Sequence, residues 1–297
     1  MTIDLAIHGR VPFTKMSGSG NDFVVIDNRS GVIADDDARE FTRRVCRHRV
    51  SVGADGVVLI EDPSRNGING AVQAHFRWRY INADGSDGEM CGNGAICGAR
   101  FAYLNGIAPA NSVFETPSGF VHAQVDPDPA SVLVRLDIVT PGPVQPPIDV
   151  DISGHVLHLH PITVGVPHAV LVVDDADAFA PGSELATVGR AVRVHAAFAP
   201  DGTNLNVISL IDRQRLRLRT YERGVEAETL ACGTGAVASA VVATSRGLAK
   251  PPIEVVTSSG RILEVTFAWD GVRATSVTLA GEGRVVATGE IWPEALG

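Results

Sequence analysis

A five-residue phrase, Cys-Gly-x-Gly-Ala, occurs twice in this 297-residue chain and constrains its fold more than any other feature. The first copy is CGNGA at 91–95, and the second is CGTGA at 232–236. Each copy opens an apolar, alanine-containing run that ends near a glycine, which predicts a helix beginning at the cysteine. Two such helices, far apart in the sequence, indicate an old duplication.

Apolar runs of strand length surround both predicted helices, in a similar order in the two halves. Other stretches predict a first helix within 35–49, two strands joined by a turn at 165–168, and a short helix or extended element at 189–198. A strand-rich sheet or barrel wrapped around one central helix, formed twice, is an α+β architecture with two pseudo-symmetric domains.

A proline-rich connection between Pro127 and Pro147 predicts the boundary between the domains. We expect an N-terminal domain over 1–127, completed by a C-terminal strand at about 282–297, and a C-terminal domain over 128–281. The expected active site is the cleft between them.

The composition favours a solvated cytosolic protein. The chain is 45% hydrophobic and 20% charged, and its formal net charge of −9 argues against nucleic-acid binding. Neither a signal peptide nor a membrane span is expected, because the N-terminus has no basic segment before an apolar run and no window is long and apolar enough. Four cysteines in this length are not a disulfide framework.

A cysteine at a helix N-terminus has a specific chemical use. Unpaired amides and the helix dipole stabilise a thiolate there, and the flanking glycines form a small cradle for a carboxylate. To invert a stereocentre, a proton must leave one face of a carbon while another arrives on the opposite face, so a thiolate and a thiol are needed. Buried structural cysteines are the alternative, but two matching settings favour catalysis. Cys46, expected within the first helix, and Cys97 lack this setting and are expected in the core.

Many amino-acid racemases instead use pyridoxal phosphate, which needs a Schiff-base lysine. Lys15 and Lys250 are the two lysines of the chain, and neither is placed for that role by its sequence context. We therefore expect no cofactor. His155, His158 and His160 lie close together, but alternation along a strand points His155 away from the other two, so no metal site is expected.

The motifs KMSGSGNDFVVID, GADG, RYINADGSDGEMCGNGAICGARF, PHAV, GTNLNV and YERGVEAETLACGTGA appear in this order over nearly the whole chain. In these motifs the chain resembles the diaminopimelate epimerases, cofactor-independent isomerases that interconvert LL- and meso-2,6-diaminopimelate. The resemblance implies the fold of that family, a role in lysine and peptidoglycan-precursor biosynthesis, a cytoplasmic location and a homodimer.

By this resemblance Cys91 and Cys232 are the two acid/base residues, and His168 supports the catalytic centre. The implied substrate-binding residues are Asn21, Asn82, Gly92, Asn93, Asn204, Glu222, Arg223, Gly233 and Thr234. Taken alone, the three asparagines outside the helix starts also suit turns, and Glu222 with Arg223 also suits a surface ion pair.

Two positions depart from the family pattern. Val166 stands where an asparagine is common, and Gly56 stands where a glutamine is common. Each change removes a polar partner, so the substrate is less defined than the fold, and a racemase or epimerase of another polar amino acid is an alternative. A non-catalytic binding protein on the same fold is a second, separate alternative.

Overall fold

The computed structural model describes residues 9–64, 73–88, 90–179 and 184–297. The chain divides into two compact units. The first contains the described residues up to Leu136 together with Gly281–Gly297, and the second contains Asp137–Ala280. Residues 1–8, part of the segment in which no signal peptide is expected, lie outside the described part. Among the described residues no helix is sufficiently long and apolar to cross a membrane.

The first unit is a barrel of strands around a helix. Its elements are β1 (Val11–Gly18), β2 (Asn21–Asp27), α1 (Ala38–Val45), β3 (Gly56–Glu61), β4 (Phe76–Asn82), β5 (Asp87–Gly88), α2 (Gly92–Leu104), β6 (Asn111–Thr116), β7 (Gly119–Val125) and β8 (Leu133–Asp137). The long strand β17 (Ala274–Ile291) contributes its second part, which pairs with β1. Because β17 also pairs with β8, the strands close on themselves.

The second unit repeats this order of elements. It contains β9 (Ile148–Ile152), β10 (His155–Val164), β11 (Val166–Val172), α3 (Glu184–Arg193), β12 (Asn204–Leu210), β13 (Arg215–Glu222), β14 (Ala227–Thr229), α4 (Gly233–Ser245), β15 (Ile253–Val256), β16 (Ile262–Trp269) and the first part of β17. Short 3-10 helices span Ala196–Phe198 and, at the end of the chain, Pro293–Leu296.

The central strand pairings of the two units correspond. β2 runs parallel to β3 and β4 parallel to β6, while β3 and β4 are antiparallel. In the second unit β11 is parallel to β12 and β13 parallel to β15, while β12 and β13 are antiparallel. The helices α2 and α4 each have 13 residues and occupy the same place in this order. The internal repeat predicted from the cysteine motifs is therefore present, and the α+β fold is confirmed.

Strand alternation separates the two faces of the sheet in the second unit. One face packs on α3 and includes Ala169, Leu171, Leu205, Val207 and Tyr221. The opposite face packs on α4 and includes Val170, Ile208, Leu216 and Leu218. Because side chains alternate along a strand, His168, Asn206 and Thr220 lie on the face that meets α4.

The first unit is built in the same way. Val24, Ile26, Val57, Leu59 and Ile81 pack with Ala38, Phe41 and Val45 of α1. Trp78 lies on the opposite face and approaches α2, where its Nε1 donates a hydrogen bond to the Gly94 carbonyl at 3.2 Å. The same alternation puts Asn21, Gly56 and Asn82 on the face that meets α2.

Some local predictions were wrong. The turn expected over 165–168 is confined to Gly165, with a φ of 70°, and Val166 already begins β11. The helix expected within 189–198 begins earlier, at Glu184, and ends at Arg193. Cys46 caps the end of α1 rather than lying within it. Three strands, β5, β9 and β14, were not predicted. They are short and lie near Pro147 or near glycines, which are typical of turns rather than strands.

Candidate active site

Cys91 and Cys232 occupy equivalent positions, each as the N-cap of its helix. Cys91 has φ −130° and ψ 108°, and Cys232 has φ −129° and ψ 113°. In both cases the sulfur accepts a hydrogen bond from the amide three residues later, at 3.4 Å from Gly94 N and 3.4 Å from Gly235 N. An N–H group directed at sulfur favours the thiolate over the thiol. The Cys232 sulfur also lies 3.6 Å from the Thr234 hydroxyl oxygen.

The first amides of both helices have no acceptor within their own helix. The fourth helical amide is bonded to the cysteine carbonyl, at 2.8 Å for Ala95 and 2.9 Å for Ala236. In each helix, the two amides that precede the sulfur-bonded amide therefore face outward from the helix start. These amides belong to Gly92 and Asn93 in α2, and to Gly233 and Thr234 in α4. These are the amides for which the sequence predicted carboxylate binding.

Three positions of the first unit meet at one edge of its sheet. Asn21 and Gly56 begin β2 and β3, and Asn82 ends β4 directly opposite Gly56. The first turn of α2 reaches this edge, because Asn93 Nδ2 donates to Asn21 Oδ1 at 2.7 Å. Asn21 Nδ2 in turn donates to Asp55 Oδ2 at 3.0 Å. Asn21 and Asn93 thus meet at the N-terminal end of the Cys91 helix, and Asn82 lies at the same edge of the sheet, where its Nδ2 donates to the Ser86 hydroxyl at 3.0 Å.

Tyr80 fills the space beside Gly56. A Cβ added at Gly56 would lie 2.4 Å from Tyr80 Cε2 and 2.6 Å from the Ile81 carbonyl oxygen. The Tyr80 hydroxyl is 3.4 Å from the Asp55 carbonyl oxygen, and the side chain is 8% exposed. The position where the family often has glutamine is therefore closed to any side chain, and a phenol lies next to it. Tyr80 is not among the site residues predicted from the sequence.

The corresponding edge of the second unit holds a larger polar group. Asn204 begins β12, Glu222 ends β13, and His168 is aligned with Asn204 on the neighbouring strand. Asn204 donates to the Pro167 carbonyl at 3.0 Å and accepts from the Arg223 amide at 2.7 Å. These contacts fix the Asn204 side chain between the ends of two strands.

Glu222 and Arg223 do not pair with each other in the described part of the chain. Glu222 Oε2 accepts from the Thr229 hydroxyl at 2.8 Å, and Arg223 Nη1 donates to the Asp201 carbonyl at 3.1 Å. Burial raises the pKa of the Glu222 carboxyl, against the opposite effect of the Thr229 hydrogen bond. The surface ion pair considered as an alternative is therefore absent here, and Glu222 is a desolvated carboxyl suited to a cationic partner.

His168 is 1% exposed and neutral. Burial and, to a smaller extent, the charge of Arg223 lower its pKa to about 3. Its Nδ1 lies 3.0 Å from Asn206 Nδ2, and Asn206 Oδ1 accepts from the Thr220 hydroxyl at 3.0 Å. His168 is among the site residues predicted from the sequence, whereas Asn206 and Thr220 are not. Asn206 stands two residues after the chosen Asn204 on the same face of a strand, and that spacing could have identified it.

The two other cysteines are core residues, as predicted. Cys97 is completely buried within α2, and burial raises its thiol pKa well above the usual range. Cys46 is 4% exposed, and burial raises its pKa to about 12. Neither thiol is suited to release a proton near neutral pH.

The histidines of β10 are engaged in other contacts. His158 Nδ1 lies 2.7 Å from Asp149 Oδ1, and His160 Nε2 lies 3.1 Å from Arg246 Nη1. The two rings meet edge to face with centroids 5.2 Å apart, as expected for side chains on one face of a strand. Within the described residues there is no group of three or more potential metal ligands.

Comparison with known proteins agrees with the resemblance. Among solved structures, a hydroxyproline epimerase from Agrobacterium vitis is similar to this chain with a TM-score of 0.69. The sequence identity is 16%, and the match covers 100% of this chain and 96% of that one. This likeness shows the fold, which this chain shares with that hydroxyproline epimerase and with a probable proline racemase from Agrobacterium radiobacter K84.

The family follows from the sequence matches. The diaminopimelate epimerase family model matches residues 13–140 and 161–282. Diaminopimelate epimerase from Hydrogenobaculum sp. (strain Y04AAS1) is 42% identical over 87% of this chain and 92% of its own length. The diaminopimelate epimerase of Aquifex aeolicus (strain VF5) is 39% identical over 96% of this chain and 99% of its own length. The chain belongs to the diaminopimelate epimerase family.

Proposed function

We propose that this protein is a pyridoxal-phosphate-independent isomerase that interconverts LL- and meso-2,6-diaminopimelate. The observation that carries the proposal is the matched pair of helix N-caps, Cys91 and Cys232, each with its sulfur bonded to the amide three residues later. Membership of the diaminopimelate epimerase family supports the choice of substrate.

In the proposed mechanism one cysteine is a thiolate and the other a thiol. The thiolate removes the α-proton from one face of the substrate carbon and becomes a thiol. The second cysteine delivers its proton to the opposite face and becomes a thiolate, so the centre is inverted and the total number of protons is unchanged. Both sulfurs must reach the same carbon, and the roles of Cys91 and Cys232 exchange in the reverse reaction.

The carbanion formed between these two steps places charge on its carboxylate. The outward amides of Gly92, Asn93, Gly233 and Thr234 are donors of the kind that stabilise such charge in the transition state. Because these amides are held in helices, they need little reorganisation during the reaction. No cofactor is required in this scheme.

The remaining polar groups suit the second amino-acid head of diaminopimelate. Asn82 and Asn204 supply amides, Arg223 supplies a cation, and Glu222 supplies an acid. A desolvated carboxyl such as Glu222 gains a partner when an ammonium group binds beside it. Asn21 completes this proposed substrate-binding set through its hydrogen bond with Asn93.

We further propose that the protein acts in the cytoplasm as a homodimer, in lysine and peptidoglycan-precursor biosynthesis. The domains proposed from the sequence are 1–127 with about 282–297, and 128–281, whereas the compact units divide between Leu136 and Asp137 and between Ala280 and Gly281. The test of the activity is incubation with LL-diaminopimelate in deuterium oxide, followed by NMR of the α-proton. Loss of the α-proton signal together with formation of the meso isomer is expected.

The same experiment distinguishes the alternatives. Faster exchange of lysine, glutamate, histidine or arginine than of diaminopimelate would identify a racemase of another polar amino acid. Binding of diaminopimelate without exchange would identify a non-catalytic binding protein. Either result would reject the proposed activity while leaving the family membership intact.

A further inference from the structure

A chain of three buried polar side chains lies on the face of the second-unit sheet that meets α4. Thr220 donates to Asn206 Oδ1 at 3.0 Å, and Asn206 Nδ2 lies 3.0 Å from His168 Nδ1. The three side chains are 2%, 0% and 1% exposed, respectively, so water does not compete for these contacts. Their order is therefore hydroxyl, amide, imidazole.

The helix α4 fixes which way the Asn206 amide points. A Cβ added at Gly235, in the first turn of α4, would lie 2.5 Å from Asn206 Oδ1 and 3.2 Å from Cys232 Sγ. The partial positive charge of a helix N-terminus favours the amide oxygen on this side, and an oxygen tolerates the nearby Cα–H group better than an amino group does. Asn206 Nδ2 therefore faces His168.

An amide nitrogen can only donate a hydrogen bond. His168 Nδ1 is thus the acceptor, and the single proton of the neutral ring is on Nε2. In the described part of the chain this Nε2 is buried and has no hydrogen-bond partner. A buried donor without an acceptor is costly, so this unpartnered Nε2, on the sheet face that meets the helix of Cys232, points to an acceptor that arrives with the ligand.

The first unit shows that these polar groups are not needed to build the sheet. Val58 faces Tyr80 there as Asn206 faces Thr220 in the second unit. Phe23, the third residue of β2, stands where His168 stands in β11. The Phe23 and Tyr80 rings pack edge to face with centroids 5.8 Å apart. The same strand arrangement is therefore stable with apolar and aromatic side chains in these places.

We propose that Asn206, held by Thr220, is a positioning residue that fixes His168 as the Nε2–H tautomer, so that His168 acts as a hydrogen-bond donor to the bound amino acid and not as a base. The catalytic consequence rests on the proposed epimerase function, whereas the tautomer itself does not. Sequence motifs gave no sign of this arrangement, because it joins three different strands.

The tautomer is measured by NMR of the protein labelled with ¹⁵N in its histidine rings, without substrate. His168→Gln assigns the signals among the nine histidines of the chain. We expect Nδ1 to show the shift of an unprotonated ring nitrogen and Nε2 that of a protonated one, through the pH range near 6.5 where ordinary histidines titrate. A proton on Nδ1 would overturn the proposal whatever the activity of the protein.

Asn206→Asp tests the role of the amide with almost no change in shape. A carboxylate accepts where the amide donates, so the His168 proton should move to Nδ1 or the ring should become cationic. We expect kcat on LL-diaminopimelate to fall about 10- to 100-fold, on the scale of other losses of a residue that orients a catalytic group, with a smaller change in KM. An altered tautomer with unchanged kcat would overturn the positioning role.

Thr220 provides a second, matched pair of variants. Thr220→Val removes the hydroxyl and should mix the two tautomers and lower kcat, whereas Thr220→Ser keeps the hydroxyl and should restore both properties. If Thr220 served only in packing, the valine variant would retain a higher kcat than the serine variant, because valine fills the site better. If the unaltered protein showed the expected tautomer but did not turn over diaminopimelate, the epimerase proposal would fail and the tautomer assignment would stand.

Discussion

The sulfurs of Cys91 and Cys232 accept hydrogen bonds from the amides of Gly94 and Gly235 at the same distance, 3.4 Å. The two cysteines also share extended backbone angles and begin helices of 13 residues. Two sites alike in this detail suit the proposed reaction, which uses the same chemical group twice, once to take a proton and once to give one. This equivalence leads to the first two predictions.

Replacement of Cys91 or Cys232 by alanine is expected to abolish conversion of LL- to meso-diaminopimelate. Each change removes the acid/base group for one face of the carbon, and serine in the same place is a much weaker acid. Conversion is followed by NMR in deuterium oxide. Cys46→Ala is the control and should retain activity, because Cys46 lies in the core around α1. Conversion at the parent rate by either alanine variant would exclude the two-base mechanism.

Mild oxidation is expected to join Cys91 to Cys232 and to stop the reaction until a thiol reductant is added. The reason is that two sulfurs able to reach one carbon are close enough to form a disulfide when the substrate site is assembled. Peptide mapping by mass spectrometry identifies the bridge. Cys46 and Cys97 should resist alkylation at pH 8, since burial raises both thiol pKa values. A bridge between Cys46 and Cys97 would contradict the assignment.

The buried, neutral His168 should make the protein less stable in acid. Its pKa of about 3 lies below the value of roughly 6.5 expected in the unfolded chain, so below pH 6.5 the unfolded state binds a proton that the folded state does not. The contribution of His168 to the free energy of unfolding is therefore fully present above pH 6.5. It is lost as the pH falls towards 3, by about 1.4 kcal/mol per pH unit. The free energy of unfolding, measured with urea at several pH values in this range, should depend less steeply on pH in His168→Gln than in the unaltered protein. Equal slopes would mean that His168 titrates normally.

Arg223→Ala should lower kcat/KM for diaminopimelate by roughly 10- to 100-fold, corresponding to the loss of a hydrogen bond to a charged group. Arg223 is half-buried and held by the Asp201 carbonyl, which directs its charge to the polar edge of the sheet. Arg246→Ala is the matched control and should leave kcat/KM unchanged, because Arg246 lies at the opposite end of α4. Equal effects of the two variants would show that only the overall charge of the protein matters.

Gly56→Ala should lower the free energy of unfolding by about 1–3 kcal/mol, because the new Cβ would overlap the Tyr80 ring and the Ile81 carbonyl. Gly142→Ala is the control, since a Cβ there meets its nearest atom at 3.7 Å. Both values come from urea unfolding. The loss caused by Gly56→Ala should be smaller in a Tyr80→Ala background, because the ring that the new Cβ overlaps is then absent. No loss in the single variant would show that Tyr80 moves aside readily.

The sequence by itself determined the features that repeat or follow a local rule. The two Cys-Gly-x-Gly-Ala phrases predicted where α2 and α4 begin, because capping depends on a few neighbouring residues. Their duplication predicted two similar strand-rich halves, and Cys46 and Cys97 were expected in the core because neither has the glycine-framed setting at a helix start. The same motifs indicated the family.

Tertiary structure alone decided which polar side chains meet. Asn206 and Thr220 are 14 positions apart in the sequence, and Asn206 and His168 are 38 apart, yet strand register brings each pair into hydrogen-bond contact. Gly56 appeared to be a lost polar partner, but its packing against Tyr80 is visible only once β3 and β4 are aligned. Glu222 and Arg223 are neighbours that might suggest an ion pair, but they bond to different partners. Pairing between strands depends on register and burial, which no local pattern of residues encodes.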